Sequence, residues 1–398
     1  MMTVHEAADV ACPSQLRHLW HSLWSRTPRA SFRQTPEFLE ASLTAICEER
    51  HRYSSLDPKI VTEWQGPTCS ERNPLQPMAE RWRFLIVSAW QRPIGIMPLR
   101  ERLVRRALGT FRVLSVPQSP WGSLPGSVGP HPATTLAAVA RHLVEHDHSW
   151  DILELPEVVA QGVEPNRVPL VFESSGRPVF QRPCRELLGL ELPATFSQFW
   201  ANRDSAARQW WRELDALQSL RSSEKFVRFR PEGASCGDTL RDWGFLKQLD
   251  RIVDLQAGTS HGPLSQKMFE CLQETHPLAV DAGAADVSVL FHDSRLTAFA
   301  YNFHCRSRVE TALMLADPQA PQARERLIGL MLRDEIARGD AWHLFLPNSV
   351  PGAALDRRLW GPIELRETTV THDRKTSLRS RFMHWLDGDR RITSASCC

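Results

Sequence analysis

The sequence predicts an α/β fold that is built twice in tandem. Two stretches share one order of elements: a β-hairpin, a third strand, a loop, an amphipathic helix and a returning strand. β-Branched and aromatic runs bounded by turn residues predict the strands, and a one-sided apolar pattern predicts each helix. Both returning strands end in Leu-x-Leu-Pro, at Pro156 and Pro347. We therefore expect two mixed, mostly antiparallel sheets, each flanked by helices.

The second stretch, from Asp286 to Pro347, shows the pattern most clearly. Asp293-Ser294 is a turn signal between its first two strands, and Gly339 is a stop signal after its helix. Within that helix Ile328, Met331 and Ile336 fall on one face. The strands are predicted at Val287–His292, Leu296–Cys305, Val309–Ala316 and in the run AWHLFLP that ends at Pro347.

The first stretch repeats this order with a longer connection before its helix. Its hairpin link is Gln91-Arg92-Pro93, and a proline-rich loop leads into the helix ATTLAAVARHLVEHD. Loops tolerate such differences in length, so the difference does not weaken the repeat. Its strands are predicted at Arg83–Trp90, Ile94–Leu103, Thr110–Val116 and in the run WDILELP that ends at Pro156.

The rest of the chain is predicted to be mainly helical. We place the domain boundary after Pro193, giving an N-terminal domain at 1–193 and a linker helix with a C-terminal domain at 194–398. The segment after Asp387 is expected to fray. Other predictions are helices within residues 14–50, an exposed loop at Leu56–Pro77, a short helix in Val163–Gly176, a strand pair in Pro178–Pro193, and helices at Phe196–Arg221, Leu240–Ile252 and Ser265–Thr275.

Length and composition limit the class of protein. The 398 residues suffice for two domains, and 42% apolar with 24% charged residues is ordinary for globular proteins. A net charge of +2 favours neither a nucleic-acid nor an acidic partner. The nine cysteines show neither Cys-x-x-Cys nor zinc spacing, which favours free thiols and no metal. Without a signal peptide or an apolar run of about 20 residues, we expect a cytoplasmic protein with no membrane span.

Several local patterns together resemble a known family. They are FRQTPEF at Phe32–Phe38, GIMPL at Gly95–Leu99, WDILELPEV at Trp150–Val158, a helix bearing Ser205, Arg208 and Arg212, the hairpin DSRLTAFAYNF, and GDAWHLFLP. In this order they resemble the GNAT acyltransferase superfamily, and more closely the tandem-GNAT group around the CelD cellulose biosynthesis proteins, which are similar to FemABX transferases. The resemblance covers about Phe32 to Trp385. It implies acyl transfer from a thioester, usually acetyl-CoA, to an amine or hydroxyl, and it does not reveal the acceptor. Our interpretation is an acyltransferase that modifies a sugar, lipid or amino-acid precursor in exopolysaccharide or cell-envelope biosynthesis.

The resemblance also implies where an acyl-CoA donor binds. In such folds its pyrophosphate lies at the N-terminus of the helix after the third strand, where free N–H groups and the helix dipole favour anions. In the second stretch Arg324 is the candidate ion-pair partner. Asp317 opposes an anion, and no glycine stands between Asp317 and Arg324. The other candidate groups are Gln319, Gln322 and the backbone of Ala323, although a plain loop in front of a structural helix explains these residues equally well.

Candidate catalytic residues lie on the strands of the second stretch. Direct acyl transfer needs a base for the acceptor, a polarised carbonyl and a proton for the leaving thiolate. Glu310 is the candidate base, Tyr301 and His304 are candidate acids, and His343 is a candidate relay. Strand alternation puts Tyr301 and His304 on opposite faces, so the four cannot all serve one site. Each is also explained as an ordinary hydrogen-bonded residue of a sheet.

Two further functions fit the sequence. The missing glycine turn favours a catalytically silent protein that keeps the double fold as a binding module or scaffold. A FemABX-like transferase that uses aminoacyl-tRNA is the other, although the near-neutral charge argues against tRNA binding. The expected partners are therefore a small-molecule, glycan or lipid-precursor acceptor and an acyl-CoA co-substrate, without nucleic acid. The sequence does not indicate an oligomeric state.

Overall fold

The computed structural model divides the chain into two compact units. The first comprises residues 1–119, 123–185 and 366–398, and the second comprises residues 120–122 and 186–365. The predictions for Leu56–Pro77, Val163–Gly176 and Leu240–Ile252 lie outside the described residues. The structure describes residues 2–7, 13–41, 81–106, 109–119, 121–123, 126–147, 149–159, 179–220, 223–230, 262–320, 322–346, 349, 357–361, 363–373 and 390–392.

The described elements confirm the predicted alternation of strands and helices. The strands are β1 (Met2–Glu6), β2 (Arg81–Ala89), β3 (Arg92–Arg106), β4 (Gly109–Ser115), β5 (Gln118–Ser119), β6 (Gly122–Ser123), β7 (Ile152–Val159), β8 (Val179–Glu191), β9 (Glu224–Phe229), β10 (Ala285–His292), β11 (Arg295–Cys305), β12 (Arg308–Ala316), β13 (Trp342–Phe345), β14 (Ile363–Asp373) and β15 (Arg390–Ile392). The helices are α1 (Arg17–Trp24), α2 (Pro132–Glu145), α3 (Phe196–Ala201), α4 (Ser205–Leu220), α5 (Gly262–Asp281), α6 (Ala323–Arg338) and α7 (Arg357–Trp360). Short 3-10 turns lie at Pro13–Leu16 and Phe32–Gln34.

The first unit contains a mixed sheet covered by helices. Strands β1 to β4 pair antiparallel in order, β4 pairs parallel with β7, and residues 366–373 of β14 pair antiparallel with β7. Helix α2 packs directly on β3, because a side chain on Gly95 would lie 2.2 Å from Thr135 Oγ1. At the edge, Arg83 binds Glu6 and Asp147, which ties β1 and the end of α2 to β2.

The second unit repeats this arrangement. Strands β9 to β12 pair antiparallel, β12 pairs parallel with β13, and β13 pairs antiparallel with residues 188–191 of β8. Helix α6 packs on one side of this sheet, and its buried residues join those of α3 and α4 in one apolar core. The fold-class prediction is therefore confirmed, since each unit is a mixed, mostly antiparallel sheet flanked by helices.

Four local predictions were wrong. The hairpin link predicted at Gln91-Arg92-Pro93 is the two-residue turn Trp90-Gln91, and Arg92 and Pro93 begin β3. The predicted strand pair in Pro178–Pro193 is the single long strand β8. The helix predicted over Phe196–Arg221 is two helices, because Asp204 accepts a hydrogen bond from the Ala207 N–H at 2.7 Å and starts α4 anew. Residues 390–392 do not fray but pair with β8 as β15.

In both units the first hairpin closes with the same turn. Trp90 and Gln91 connect β2 and β3 with φ values of 51° and 63°, and Asp293 and Ser294 connect β10 and β11 with 49° and 62°. Left-handed values at both central residues define the type I′ turn, whose twist matches a β-hairpin. No helix in the described part of the chain is long and apolar enough to cross a bilayer.

Candidate active site in the second unit

The second sheet separates the four predicted catalytic residues into two pairs. Glu310 lies opposite Phe303 in the β11–β12 register, so it shares the face of Tyr301. We call this the α5 face, because Tyr301 meets α5 there. His304 and His343 lie on the other face, the α6 face, beneath helix α6. The prediction that one site cannot use all four residues agrees with this register.

On the α5 face, Glu310 is the buried carboxylate. It is 1% exposed, and its Oε1 lies 2.6 Å from Arg308 Nη2. Burial and the nearby charge of Glu310 raise the pKa of Cys305 to about 11. The Cys305 thiol therefore stays protonated at neutral pH and is no nucleophile.

Tyr301 is fixed on the same face by a histidine that the sequence analysis did not single out. Its Oη lies 2.9 Å from His276 Nδ1 of α5, and both residues are buried. Burial, helped by the charge of Asp286, holds the pKa of Tyr301 far above its usual range. Tyr301 therefore keeps its proton and is a neutral hydrogen-bond partner of His276.

A β-bulge interrupts β12 between these residues. Tyr301 pairs with Leu313 and Asn302 with Thr311, so Ala312 has no partner residue on β11. The Ala312 carbonyl accepts a hydrogen bond from Trp121 Nε1 at 2.7 Å instead. The Trp121 ring also makes an edge contact with Phe303, at 5.8 Å between centroids. Trp121 belongs to the second unit. It therefore contacts the bulge of β12, the strand that also carries the candidate base Glu310.

The α6 face carries a buried relay of polar side chains. Glu335 Oε2 lies 2.9 Å from His343 Nδ1, His343 Nε2 lies 3.0 Å from Thr311 Oγ1, and Thr311 donates to Asn302 Oδ1 at 2.7 Å. All four residues are 0% exposed. A carboxylate, an imidazole and a hydroxyl in this order form a catalytic triad when the hydroxyl meets substrate. Here the Thr311 hydroxyl donates its proton to Asn302 instead of meeting a substrate, so the relay joins α6 to the sheet.

Next to the relay lies a cluster of buried charges. Arg228 binds both carboxylate oxygens of Asp286, at 2.9 and 2.6 Å, and it binds Glu335 at 2.9 Å. Arg230 binds Asp286 at 3.1 Å and Asp340 at 2.7 Å. Burial alone would raise the pKa of Asp286, but the two arginines outweigh burial and hold it below its usual range. Both arginines were missed by the sequence analysis.

His304 is attached to the edge of this cluster. Its Nε2 lies 3.2 Å from Asp340 Oδ1, and its side chain is 17% exposed. Burial would raise the pKa of Asp340, but the hydrogen bond from His304 and the charge of Arg230 hold it below its usual range. Each histidine of the α6 face therefore contacts a carboxylate: His304 contacts Asp340, and His343 contacts Glu335.

The predicted donor site lies where β12 leads into α6. Asp317, expected to repel an anion, is paired with Arg295 at 2.6 Å and accepts the Gln319 N–H at 2.9 Å. The Ala323 N–H donates to the Ala320 carbonyl at 3.2 Å, so two of the four predicted groups have a backbone bond already. Gln322 supplies the sharp turn with φ 67°, without the glycine that usually does so.

Arg324 is the remaining candidate, and its charge is uncommitted. The side chain is partly exposed, and no salt bridge joins it to any residue in the described ranges. By contrast, Arg326 and Arg333 of the same helix pair with Glu224 and Asp215. No group of His, Cys, Asp and Glu within those ranges is arranged to hold a metal ion.

Comparisons with known proteins find similarity in structure but not in sequence. No family model and no curated protein sequence matches the chain. The chain is similar to a tandem GNAT protein from the clavulanic acid biosynthesis pathway, with 12% identity and a TM-score of 0.39, covering 95% of this chain and 100% of that one. It is also similar to FemX (9% identity, TM-score 0.49, 78% and 90% covered) and to L-PGS from Bacillus licheniformis (12%, 0.40, 73% and 84%). Similarity at this level concerns the fold, so the reaction has to be argued from the residues of the site.

Proposed function

We propose that this chain is an acyltransferase that uses its second unit to move an acyl group from a CoA-type thioester to an amine or hydroxyl. The observation that carries the proposal is the placement of one buried carboxylate and one uncommitted arginine at opposite ends of β12. Glu310 lies near the start of that strand, and Arg324 follows the loop after its other end, in the first turn of α6.

The spacing suits a long donor. Six residues separate Glu310 from Ala316, which at the usual rise per strand residue is about 20 Å. A nucleotide phosphate held near Arg324 would leave the flexible arm of a CoA thioester to pass from the α6 side, by the bulge at Ala312, to Glu310 on the α5 face. Free N–H groups of the first helical turn would add to the charge of Arg324 in binding phosphate.

Glu310 is the proposed general base. An acceptor amine or hydroxyl attacks the thioester carbon, its proton passes to the Glu310 carboxylate, and the carbon–sulfur bond breaks to release the thiolate. A thiol has a pKa of about 8.5, so the thiolate leaves without help from a strong acid. Tyr301 holds its proton too tightly to act as the acid, and we propose that it donates a hydrogen bond only. We propose structural roles for His304 and His343, which hold α6 to the sheet.

A silent binding module is the second candidate, and a specific observation favours it. Trp121 occupies the bulge at Ala312 on the proposed path of the donor, and two backbone N–H groups of the donor loop have partners already. A protein that kept the fold without the reaction could hold such contacts permanently. Acetyl-CoA as the specific donor, and exopolysaccharide or envelope formation as the pathway, are parts of the proposal that rest on the sequence resemblance.

The experiment is release of free thiol from acetyl-CoA in the presence of pooled amines, amino sugars and amino acids, followed with a thiol reagent. We expect release above the rate without protein, and the variant Glu310→Gln should reduce it by about 10²-fold with little loss of donor affinity. Glu101→Gln, which removes a carboxylate from β3 of the first unit, is the matched control. No release with any pool, together with CoA binding that is unchanged in Glu310→Gln, would favour the silent module.

A further inference from the structure

Two of the three large exposed hydrophobic side chains of the described residues lie at one hairpin tip. The three are Met2, Trp90 and Leu103, with 47%, 80% and 37% exposure. Trp90 is in the turn between β2 and β3. Met2 lies directly opposite Ala89, the residue that precedes Trp90 in the chain. Leu103 is far along β3, opposite Arg112. The tip, formed by Met2 and Trp90 with Gln91 and Arg92, is therefore an apolar projection.

The backbone of this turn makes the choice of residue unusual. Both central residues of a type I′ turn are left-handed, a conformation that disfavours side chains other than those of Asn and Asp. The equivalent turn of the second unit has Asp293 and Ser294 at nearly the same φ values. The same turn is thus built from ordinary polar residues in one unit and from Trp90 and Gln91 in the other. Folding does not require the indole at this position.

The charge around the tip is positive. Arg92 follows the turn, is exposed, and has no ion pair with any residue in the described part of the chain. The acidic residues of the ion pairs at this edge are distant from the tip. Glu6 stands opposite Leu85, five residues along β2 from Trp90, or about 17 Å at the usual strand rise. An anionic partner would therefore meet a cation beside the indole and no nearby carboxylate from that edge.

A neighbouring loop carries two further arginines. Arg26 and Arg29 are exposed and flank Thr27. The Thr27 hydroxyl accepts the Gly129 N–H at 2.8 Å, and Gly129 packs against the Ile94 carbonyl so closely that a Cβ would lie 2.2 Å away. Ile94 is the second residue after Arg92, so these contacts hold the arginine-bearing loop near the base of the tip.

We propose that this tip docks the protein on an anionic phospholipid surface, with Trp90 in the headgroup region and the arginines against the lipid phosphates. An indole on a polar rim is the side chain most suited to the boundary between water and lipid. Basic residues beside it gain from the negative potential of an anionic leaflet. A protein partner is less suited, because a stable interface needs about 800 Å² on each side and this tip is a narrow projection. The proposal does not depend on the proposed acyl transfer.

The test is co-sedimentation of the full chain with vesicles of equimolar phosphatidylcholine and phosphatidylglycerol. The second unit supplies the matched variant, since Trp90→Asp with Gln91→Ser installs the turn that already works there. We expect the wild type to sediment with these vesicles, less so at high salt, and poorly with pure phosphatidylcholine. The double variant should bind at least about tenfold more weakly, with thermal stability equal to or above that of the wild type, whereas Trp90→Phe should retain most of the binding.

A second control removes an exposed hydrophobic side chain elsewhere. Leu103→Ser should bind the anionic vesicles as the wild type does. The proposal is overturned if the wild type does not bind these vesicles, if it binds phosphatidylcholine equally well, or if the double variant binds as tightly as the wild type. It is also overturned if Leu103→Ser weakens binding as much as the turn replacement does.

Discussion

Replacing Arg228 with Met is expected to be among the most damaging single changes in the second unit. The Arg228 side chain is 2% exposed and binds Asp286, Glu335, Asp334 and the carbonyl of Met331. Methionine fills much of the same volume but cannot pair with the carboxylates. Among the described residues, the change therefore leaves Asp286 paired with Arg230 and Glu335 paired with His343.

The structure gives the magnitude and a control. Asp286 and Glu335 have side chains that are 0% exposed, and removing one partner of such a buried pair costs about 3–5 kcal/mol. Asp334 binds the same guanidinium, but it is 28% exposed. Because an exposed partner contributes little, Asp334→Asn should cost at most about 1 kcal/mol. Urea unfolding of the two variants and the wild type measures both values.

The dependence on pH supplies a second measurement. Asp286 has a depressed pKa in the folded protein, so its stabilising contribution is present above the unfolded pKa of about 3.9 and is lost as the pH falls through the folded pKa. In Arg228→Met the pKa of Asp286 should rise, because burial then meets only one arginine. The stability difference between wild type and variant should therefore be largest near neutral pH and shrink on acidification.

Two outcomes would refute this reasoning. A loss below about 1 kcal/mol in Arg228→Met would mean that the buried charges contribute no more than exposed ones do. A difference from the wild type that stayed constant between neutral and acidic pH would mean that the variant acts through packing rather than through Asp286.

Two further changes have sharp expectations. Tyr301→Phe removes the bond to His276, and it should destabilise the protein by about 1–3 kcal/mol because a buried imidazole nitrogen loses this partner. Urea unfolding with no measurable loss would show that the pair contributes nothing. Gly329→Ala would place a Cβ 2.0 Å from the ring of Trp211, so crowding of about 1–3 kcal/mol should exceed the gain of up to about 1 kcal/mol in helix propensity. A raised melting temperature for this variant would mean that the indole can move aside. As a control, Ala337→Gly at the exposed end of α6 measures the effect of helix propensity without any change in packing.

Elements with local signals were predictable from the sequence. Asp293-Ser294 forms the expected hairpin turn, and Gly339 ends α6 in the left-handed conformation with φ 82°. Each needs only a few neighbouring residues, so a short window contains the information. The break between α3 and α4 also had a local signal in Asp204, a strong N-terminal residue for a helix, which the apolar stripe through both helices concealed.

Strand β8 could not be predicted as one strand. Its proline, Pro183, and its charged residues suggest a turn, and its pairing partners explain why it continues. Residues 179–181 pair with β15, and residues 188–191 pair with β13. Both partners are more than a hundred residues away in the sequence, as the registers Gln181–Arg390 and Leu188–Phe345 show. No pattern within β8 reveals them.

The candidate site also combines a feature that the sequence predicts with contacts that it does not predict. Alternation along β11 was enough to separate Tyr301 from His304, because a strand has a period of two. The contact of Trp121 with Ala312 joins residues 191 positions apart, and the bond of Arg228 to Glu335 joins residues 107 apart. Such contacts depend on how the elements pack, so the sequence offered the residue types without their partners.

Calorimetric titration with CoA and acetyl-CoA tests the central claim most directly, because it needs no acceptor. We predict weak binding that weakens further at high salt, since an ion pair with Arg324 supplies much of the affinity. Arg324→Gln should remove most of the binding and Arg324→Lys should keep part of it. Arg338→Gln, the same change at the other end of α6, should leave it unchanged. No heat at millimolar ligand, or equal affinities for the two Gln variants, would contradict the assignment of this unit as an acyl-CoA site.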